Sequence, residues 1–243
     1  MSEDPGPDTE WTQLQQNVVI RWCNKQLEGS GKRVKSIGKD FSNGVILITL
    51  VEKVTNRKIP RYNKMALFKS KKIENVQVAL ELVRSEGLKL IGFDAGEIVN
   101  GNVSQIGGVI WSLILKYAFL KLEDITEQES TRNQQLLNWV KDKIEKPTIN
   151  NLTTDWNDGC AVHALVDAHA PGLCPKLKDD NENSEVVEHL RKIMQLADDW
   201  LGVTQVLTPE ELTDSKIDEL SMMTYLSGFL GAKLKEGAPI ETK

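Results

Sequence analysis

The sequence predicts an all-α protein built from two copies of one helical unit, each a bundle of four main helices plus short ones. Three observations carry that prediction. Apolar residues recur at three- and four-residue steps, the spacing that stacks side chains along one side of a helix, and no segment reads as a strand. Landmarks also repeat at a nearly constant offset. Asp40-Phe41-Ser42-Asn43-Gly44 is echoed 115 residues later by Asp155-Trp156-Asn157-Asp158-Gly159, and Trp22 is echoed by Trp139 at 117. Phe93-Asp94 with Ile98 returns as Leu207-Thr208 with Leu212 at 114, and Leu50-Val51-Glu52 as Leu165-Val166-Asp167. A period above 100 marks duplicated domains rather than a solenoid. Finally, 243 residues suit two domains of about 110 each.

Taken in order, residues 1–10 form an acidic tail expected to be disordered. Trp11, Leu14, Val18 and Trp22 mark a first helix ending near Leu27, at the Gly29-Ser30-Gly31 breaker. Phe41, Val45, Leu47, Ile48, Val51 and Val54 give a second helix, with Asp40 or Ser42 as its cap. Lys58 to Lys69 has Pro60 and no period, so it is a loop. Ile73, Val76, Ala79, Leu80 and Val83 make a third helix closed by Gly87. The central helix lies in Gly101–Leu122, with Ile106, Val109, Ile110, Leu113, Ile114, Tyr117 and Leu120 as its stripe. Trp111, Leu115 and Ala118 fall off that stripe, which implies a second partner for the helix. The polar EDITEQESTR stretch is a linker. Beyond it, helices are expected at 134–144, 157–168, 184–200 and 218–234, and Thr208-Pro209-Glu210-Glu211 opens a short one. The expected domains are 11–122 and 132–235, joined by 123–131 and followed by an exit segment, 236–243.

Charge is unevenly spread. Residues 1–122 carry 18 Lys and Arg against 12 Asp and Glu, a net +6, whereas residues 123–243 carry 12 against 23, a net −11. Lys53, Arg57, Lys58, Arg61, Lys64, Lys69, Lys71 and Lys72 crowd one part of the first half. No apolar run approaches the roughly 20 residues of a bilayer span, and the amino terminus has no secretory pattern. Cys23, Cys160 and Cys174 fit no disulfide framework and suit a reducing compartment.

The sequence carries no catalytic or cofactor motif. Gly29-Ser30-Gly31-Lys32 lacks the leading glycine and the hydroxyl residue of a phosphate loop. Asp179, Asn181 and Asn183 begin a calcium-loop spacing that Ser184 and Leu190 do not complete. Cys160, His163, His169 and Cys174 match no common zinc spacing and are read as core residues. No nucleophile elbow or HExxH is present, so an enzyme is not expected. Trp22, Trp111, Trp139 and Trp200 lie on apolar helical stripes and the net charge is negative, which argues against nucleic acid.

The duplicated pattern resembles a tandem pair of calponin-homology domains, the actin-binding module of filamins, α-actinins and spectrins. The marks are Gln15-Gln16-Asn17 with Arg21-Trp22-Cys23-Asn24, Asp40 to Gly44, Glu74-Asn75-Val76, Gly101-Asn102 and Ile110-Trp111-Ser112-Leu113. In the second copy they are Asp155-Trp156, Gly159, Ala161 and Leu165. Within that group the chain is most similar to filamins, through Ala170-Pro171-Gly172-Leu173-Cys174-Pro175, Ala197-Asp198-Asp199-Trp200 and Met223-Thr224-Tyr225-Leu226-Ser227.

The resemblance implies a non-enzymatic filament-binding head of a cytoskeletal crosslinker, without cofactor or metal, at the actin cytoskeleton and cell cortex. It implies contact residues Trp11, Thr12, Gln15 and Gln16 on the first helix. Arg61, Lys64, Lys69, Lys71 and Lys72 are implied on the basic loop, and Asn102, Gln105, Val109, Ser112 and Lys116 on the central helix. A closed state would set the Lys143 ammonium on the Trp111 indole as an interdomain latch, a contact of about 0.5–2 kcal/mol. F-actin is the implied partner, with phosphoinositide or calmodulin regulation as a lesser expectation. The domain pair is expected to be a monomer, with dimerisation through downstream repeats. An adaptor that binds other proteins or phosphoinositides is the alternative. Two departures stand out: family members often carry lysine at the place of Ser104 and leucine at that of Gly107. Gly107-Gly108 inside a helix costs about 1 kcal/mol per glycine relative to alanine.

Overall fold

The computed structural model describes residues 8–123, 131–174 and 183–240. Most of the expected tail and linker, Asp179 and Asn181 of the incomplete calcium spacing, Pro175 and the last three residues lie outside them. Every regular element among the described residues is helical. No helix among them is long and apolar enough to cross a membrane. The chain divides into two compact units between Tyr117 and Ala118.

The first unit contains α1 (Gln13–Gln26), α2 (Ile37–Asp40), α3 (Val45–Thr55), α4 (Lys69–Ser85), α5 (Ala95–Asn100) and α6 (Val103–Tyr117). α1 packs on α3 and α6, α3 on α4, and α5 on both α4 and α6. The second contains α7 (Leu120–Glu123), α8 (Arg132–Lys143), α9 (Cys160–His169), α10 (Asn183–Leu196), α11 (Pro209–Thr213) and α12 (Glu219–Ser227). There α9 packs on α8 and α10, and α12 on α8.

The internal repeat holds at the level of atoms. Asp40 Oδ2 accepts the backbone N–H groups of Lys35 and Ser36, at 2.6 and 2.8 Å. Asp155 Oδ2 accepts those of Asn150 and Asn151, at 2.6 and 3.1 Å. The next large residue of each copy, Phe41 or Trp156, is fully buried. A left-handed glycine then opens the following helix, Gly44 at φ 75° and Gly159 at φ 76°. Glycine, lacking a Cβ, takes that conformation most readily. A Cβ at Gly44 would also lie 2.6 Å from Asn75 Cβ.

Three expectations need correction. Neither Asp40 nor Ser42 caps α3: Gly44 occupies that position, and the Val45 N–H donates to Asn43 Oδ1 at 2.9 Å. The central helix does not run on to Leu120. It ends at Tyr117, and the break lets Phe119 and Leu122 turn inward while Leu120 is left 42% exposed. The last helix of the second unit is shorter than 218–234, because it tightens into a 3₁₀ turn at Gly228–Gly231 and ends there. The expected cap at Thr208 is present as a full capping box with Glu211.

The second core contains a run of aromatic contacts, Trp139 with His169, His169 with Phe229, and Phe229 edge-on to Tyr225, at centroid distances of 5.8, 5.6 and 5.7 Å. Between α9 and α10, His163 Nδ1 and His189 Nε2 share one hydrogen bond at 3.1 Å, with the rings stacked 12° from parallel. Burial lowers both pKa values below the ordinary 6.5. His163 and Lys192 lower His189 further, while Asp167 partly offsets the effect at His163. With folded values below the unfolded one, the unfolded chain binds more protons near and below that value, so stability falls as pH falls. The melting temperature of the second unit should therefore drop from about pH 7 to about pH 5.5. His189→Gln should flatten that slope in a calorimetric pH series.

Candidate functional site

Residues 56–68, between α3 and α4, form no helix and are pinned by two side chains. Glu52 Oε1 accepts the Ile59 N–H at 2.8 Å. Asn75, buried in α4, does more. Its Oδ1 accepts the Asn63 N–H at 2.7 Å, and its Nδ2 donates to the Asn63 and Asn43 carbonyls at 2.8 and 2.9 Å. One amide thus ties the loop to the start of α3, satisfying backbone groups that the loop cannot pair itself. Beside it lies a cleft of about 290 Å³ lined by Arg61, Tyr62, Asn63, Glu74, Asn75 and Val78.

Past this tether the chain stands out from the unit. Met65, Leu67 and Phe68 are 84%, 78% and 74% exposed. The charges around them divide by use. Arg57 pairs with Glu86 at 2.6 Å, Lys58 with Glu52 at 3.4 Å, and Lys71 with Glu74 at 2.8 Å. The Lys69 ammonium donates to Asn100 Oδ1 at 2.8 Å. Arg61, Lys64 and Lys72 have no ion pair among the described residues.

Lys69, Lys71 and Lys72 belong to the first turn of α4, not to the loop, and no acid shares that turn. Cations at a helix amino terminus oppose the macrodipole at about 0.3–1 kcal/mol each. Phe68, the capping residue, offers no side-chain acceptor. The arrangement costs the helix stability and concentrates positive potential beside the exposed apolar residues.

The expected contacts on the helices lie differently. Val109 is completely buried, and every residue from Gln105 to Leu115 is buried. Gln105 is committed to the fold, accepting the Asp94 N–H at 2.9 Å and donating to the Gly92 carbonyl at 3.2 Å. Ser112 donates to the Gly108 carbonyl at 3.0 Å, and Lys116 to the Glu86 carbonyl. Asn102 caps α6 by accepting the Gln105 N–H at 3.2 Å. Thr12 and Gln15 form the capping box of α1, and Gln16 donates to the Trp11 carbonyl. Of the expected contact residues, Arg61, Lys64, Lys69, Lys71 and Lys72 form one accessible group. Gln105, Val109 and Ser112 do not present a surface here. Trp111, on α6, is buried, and Lys143, at the end of α8, is exposed.

The glycine at position 107 has a partner. Trp11, 8% exposed, lays its indole on α6 there, so that a Cβ on Gly107 would sit 2.5 Å from Cε2 and 2.8 Å from Cδ2. The indole N–H is buried without a hydrogen-bond partner among the described residues. No group of three or more His, Cys, Asp or Glu among these residues could hold a metal. All three cysteines are free. Burial pushes the Cys174 thiol up to about 12 and the Cys23 thiol higher still, which keeps both unreactive.

Met65, Leu67 and Phe68 escaped the sequence reading, although three large apolar residues among lysines with no helical or strand period were a readable signal. Asn75 was visible only as part of a family mark, since nothing in its neighbours shows that it reaches back to Asn43 and Asn63.

This fold and duplication define a class. The chain matches the calponin homology (CH) domain family at residues 13–119 and 130–234, and it belongs to that family as a tandem pair. More particularly, it is 43% identical over 247 residues to filamin-C of Rattus norvegicus and 42% identical over 249 residues to filamin-A of Drosophila melanogaster, alignments that cover 99% of this chain. It is 33% identical over 241 residues to α-actinin-3 of Homo sapiens, across 95% of the chain. It spans 9% and 11% of those filamins and 26% of that α-actinin. The actin-crosslinking core of Schizosaccharomyces pombe fimbrin shares the fold, with a TM-score of 0.70 at 14% identity, over 93% of this chain and 50% of that one.

Gly107→Ala sets about 1 kcal/mol of gained helix propensity against about 1–3 kcal/mol of overpacking on Trp11. The substitution should lower the melting temperature in the wild-type background and raise it in Trp11→Ala. The same sign in both backgrounds would show that the indole is not what Gly107 accommodates.

Proposed function

We propose that this chain is an actin-filament-binding head of a filamin-like crosslinker, with the first unit making the contact and the second controlling access to it. The observation that carries this reading is the accessible basic surface from Arg61 to Lys72 on one member of a tandem CH pair. Its support from relatives is the likeness to filamins and α-actinin-3, and the fold shared with a fimbrin fragment described as an actin-crosslinking core.

The mechanism rests on charge. An actin filament is acidic, so the unpaired Arg61, Lys64 and Lys72 steer association, while the net −11 of residues 123–243 opposes approach by the second unit. The contact proposed for α1 and α6, through Trp11, Thr12, Gln15, Gln16, Asn102, Gln105, Val109, Ser112 and Lys116, requires a state in which the buried ones, Trp11, Gln105, Val109 and Ser112, are uncovered. A closed–open equilibrium latched by Trp111 and Lys143 would supply it, and about 0.5–2 kcal/mol biases such an equilibrium by a factor of roughly 2–30. The proposed setting is the cell cortex and actin cytoskeleton, with phosphoinositide or calmodulin regulation as a lesser part of the proposal and dimerisation through downstream repeats of the longer protein.

Cosedimentation with filaments tests both parts. Arg61→Glu with Lys64→Glu and Lys72→Glu should weaken binding by at least about tenfold, and wild-type affinity should fall as salt rises. In the same assay Trp111→Ala or Lys143→Ala should tighten binding. An affinity indifferent to salt and to the charge reversals would overturn the steering role, and unchanged affinity in both alanine variants would remove the latch.

A further inference from the structure

The second unit brings together two groups that filament binding does not use. The chain has three histidines, and two of them, His163 on α9 and His189 on α10, meet where those helices pack on each other. Packing sets the meeting. Leu190 is fully buried against the start of α9, and a Cβ at Gly159 would lie 2.9 Å from its Cγ. The missing side chain at 159 lets α10 approach, which holds His189 beside His163, one turn into α9.

His163 Nδ1 faces His189 Nε2 at 3.1 Å, with the rings nearly parallel. Two nitrogens bound to one metal ion at about 2.0–2.1 Å are separated by about 2.9 Å at a right angle and about 3.4 Å at the tetrahedral angle. The observed spacing falls between these. Both rings are half-buried, so water can reach the remaining positions around an ion. No third His, Cys, Asp or Glu among the described residues completes a set of three. The outer nitrogens, His163 Nε2 and His189 Nδ1, make no hydrogen bond among those residues, so each can carry its ring's proton while the inner nitrogen presents a lone pair. Burial lowers both pKa values, which keeps the imidazoles neutral at about pH 7, the form that binds a metal. The charges that act on them, Asp167 on His163 and Lys192 on His189, are opposite in sign.

We propose that His163 and His189 form a two-imidazole site for a late divalent transition metal, Zn²⁺, Ni²⁺ or Cu²⁺, which clips α9 to α10. Imidazole suits these ions, whereas Ca²⁺ and Mg²⁺ need oxygen donors that the pair does not offer. Binding replaces the shared hydrogen bond with two metal–nitrogen bonds. The proton between the rings passes through water to the outer nitrogen of the ring that held it, so each imidazole keeps one proton and none is released. Each lone pair also swings off the line between the rings toward a common point, a rotation that half-buried side chains can make. The clip joins positions 163 and 189 and stabilises the second unit, whether or not the first unit binds filaments.

Calorimetric titration of the chain with Zn²⁺ and with Ni²⁺ at about pH 7.5 tests this, with Mg²⁺ as the control. One transition-metal ion should bind per chain, and Mg²⁺ should not bind. His163→Gln and His189→Gln should each weaken binding by about tenfold or more, because one imidazole alone cannot chelate. Cys160→Ser removes the free thiol one turn from His163 and should leave binding unchanged. At tenfold above its dissociation constant the metal should raise the melting temperature of the second unit by about 5 °C over the chain in chelator, a rise absent from both glutamine variants. Melts in chelator check that the variants fold. Should either not fold, electron paramagnetic resonance of Cu²⁺ on the wild-type chain serves, and it should show coupling to two imidazole nitrogens.

No binding by the wild-type chain, or binding that survives both glutamine variants, overturns the proposal. So does a copper spectrum with fewer than two coupled nitrogens. Loss of binding in Cys160→Ser would assign the metal to a thiolate and remove the two-imidazole site.

Discussion

Burial of α6 is the constraint from which the functional geometry follows. Every residue from Gln105 to Leu115 is buried, so that stretch of the helix offers no open surface in this conformation. Its polar members are spent in the same way. Gln105 braces the turn at Gly92 and Asp94, Ser112 folds back on its own helix, and Lys116 closes on the Glu86 carbonyl. A side chain cannot be both buried and an open contact in one conformation, so in this one recognition by the first unit falls to the segment that packing leaves over. That segment is the stretch between Asn63 and Lys72.

What makes the segment usable is the buried amide of Asn75. A loop of this kind carries backbone groups that must be paired, and a mobile one would lose binding energy in ordering itself. Two hydrogen bonds between that side chain and Asn63 hold its base and a third reaches Asn43, while its tip projects Lys64, Met65, Leu67 and Phe68. The lysines in the first turn of α4 oppose the helix dipole, a local cost with no compensating acid in that turn. A local rule broken in this way at an exposed position points to use by a partner.

The duplication was legible because the sequence repeats the residues that make it. Asp40 and Asp155 accept two backbone N–H groups each, and Gly44 and Gly159 take the same left-handed turn. Helix existence was legible from the apolar period and helix ends less so. The stripe through Tyr117 and Leu120 hid a break that depends on burying Phe119 and Leu122. The basic residues near position 64 were legible as a charge cluster. Which of them remain unpaired depends on Glu52, Glu74 and Glu86 folding against them, which spacing alone does not disclose. Gly107 read as a flaw in the helix until the Trp11 indole was found on it, a contact across 96 positions that no local pattern encodes.

The central claim is that residues 61–72 are the contact that the first unit offers its partner before any part of α6 is uncovered. Amide hydrogen exchange on the chain, free and bound to actin filaments, tests it most directly. Slowed exchange at 61–72 is the predicted result. Unchanged exchange there, whatever is seen along Gln105 to Ser112, would contradict it.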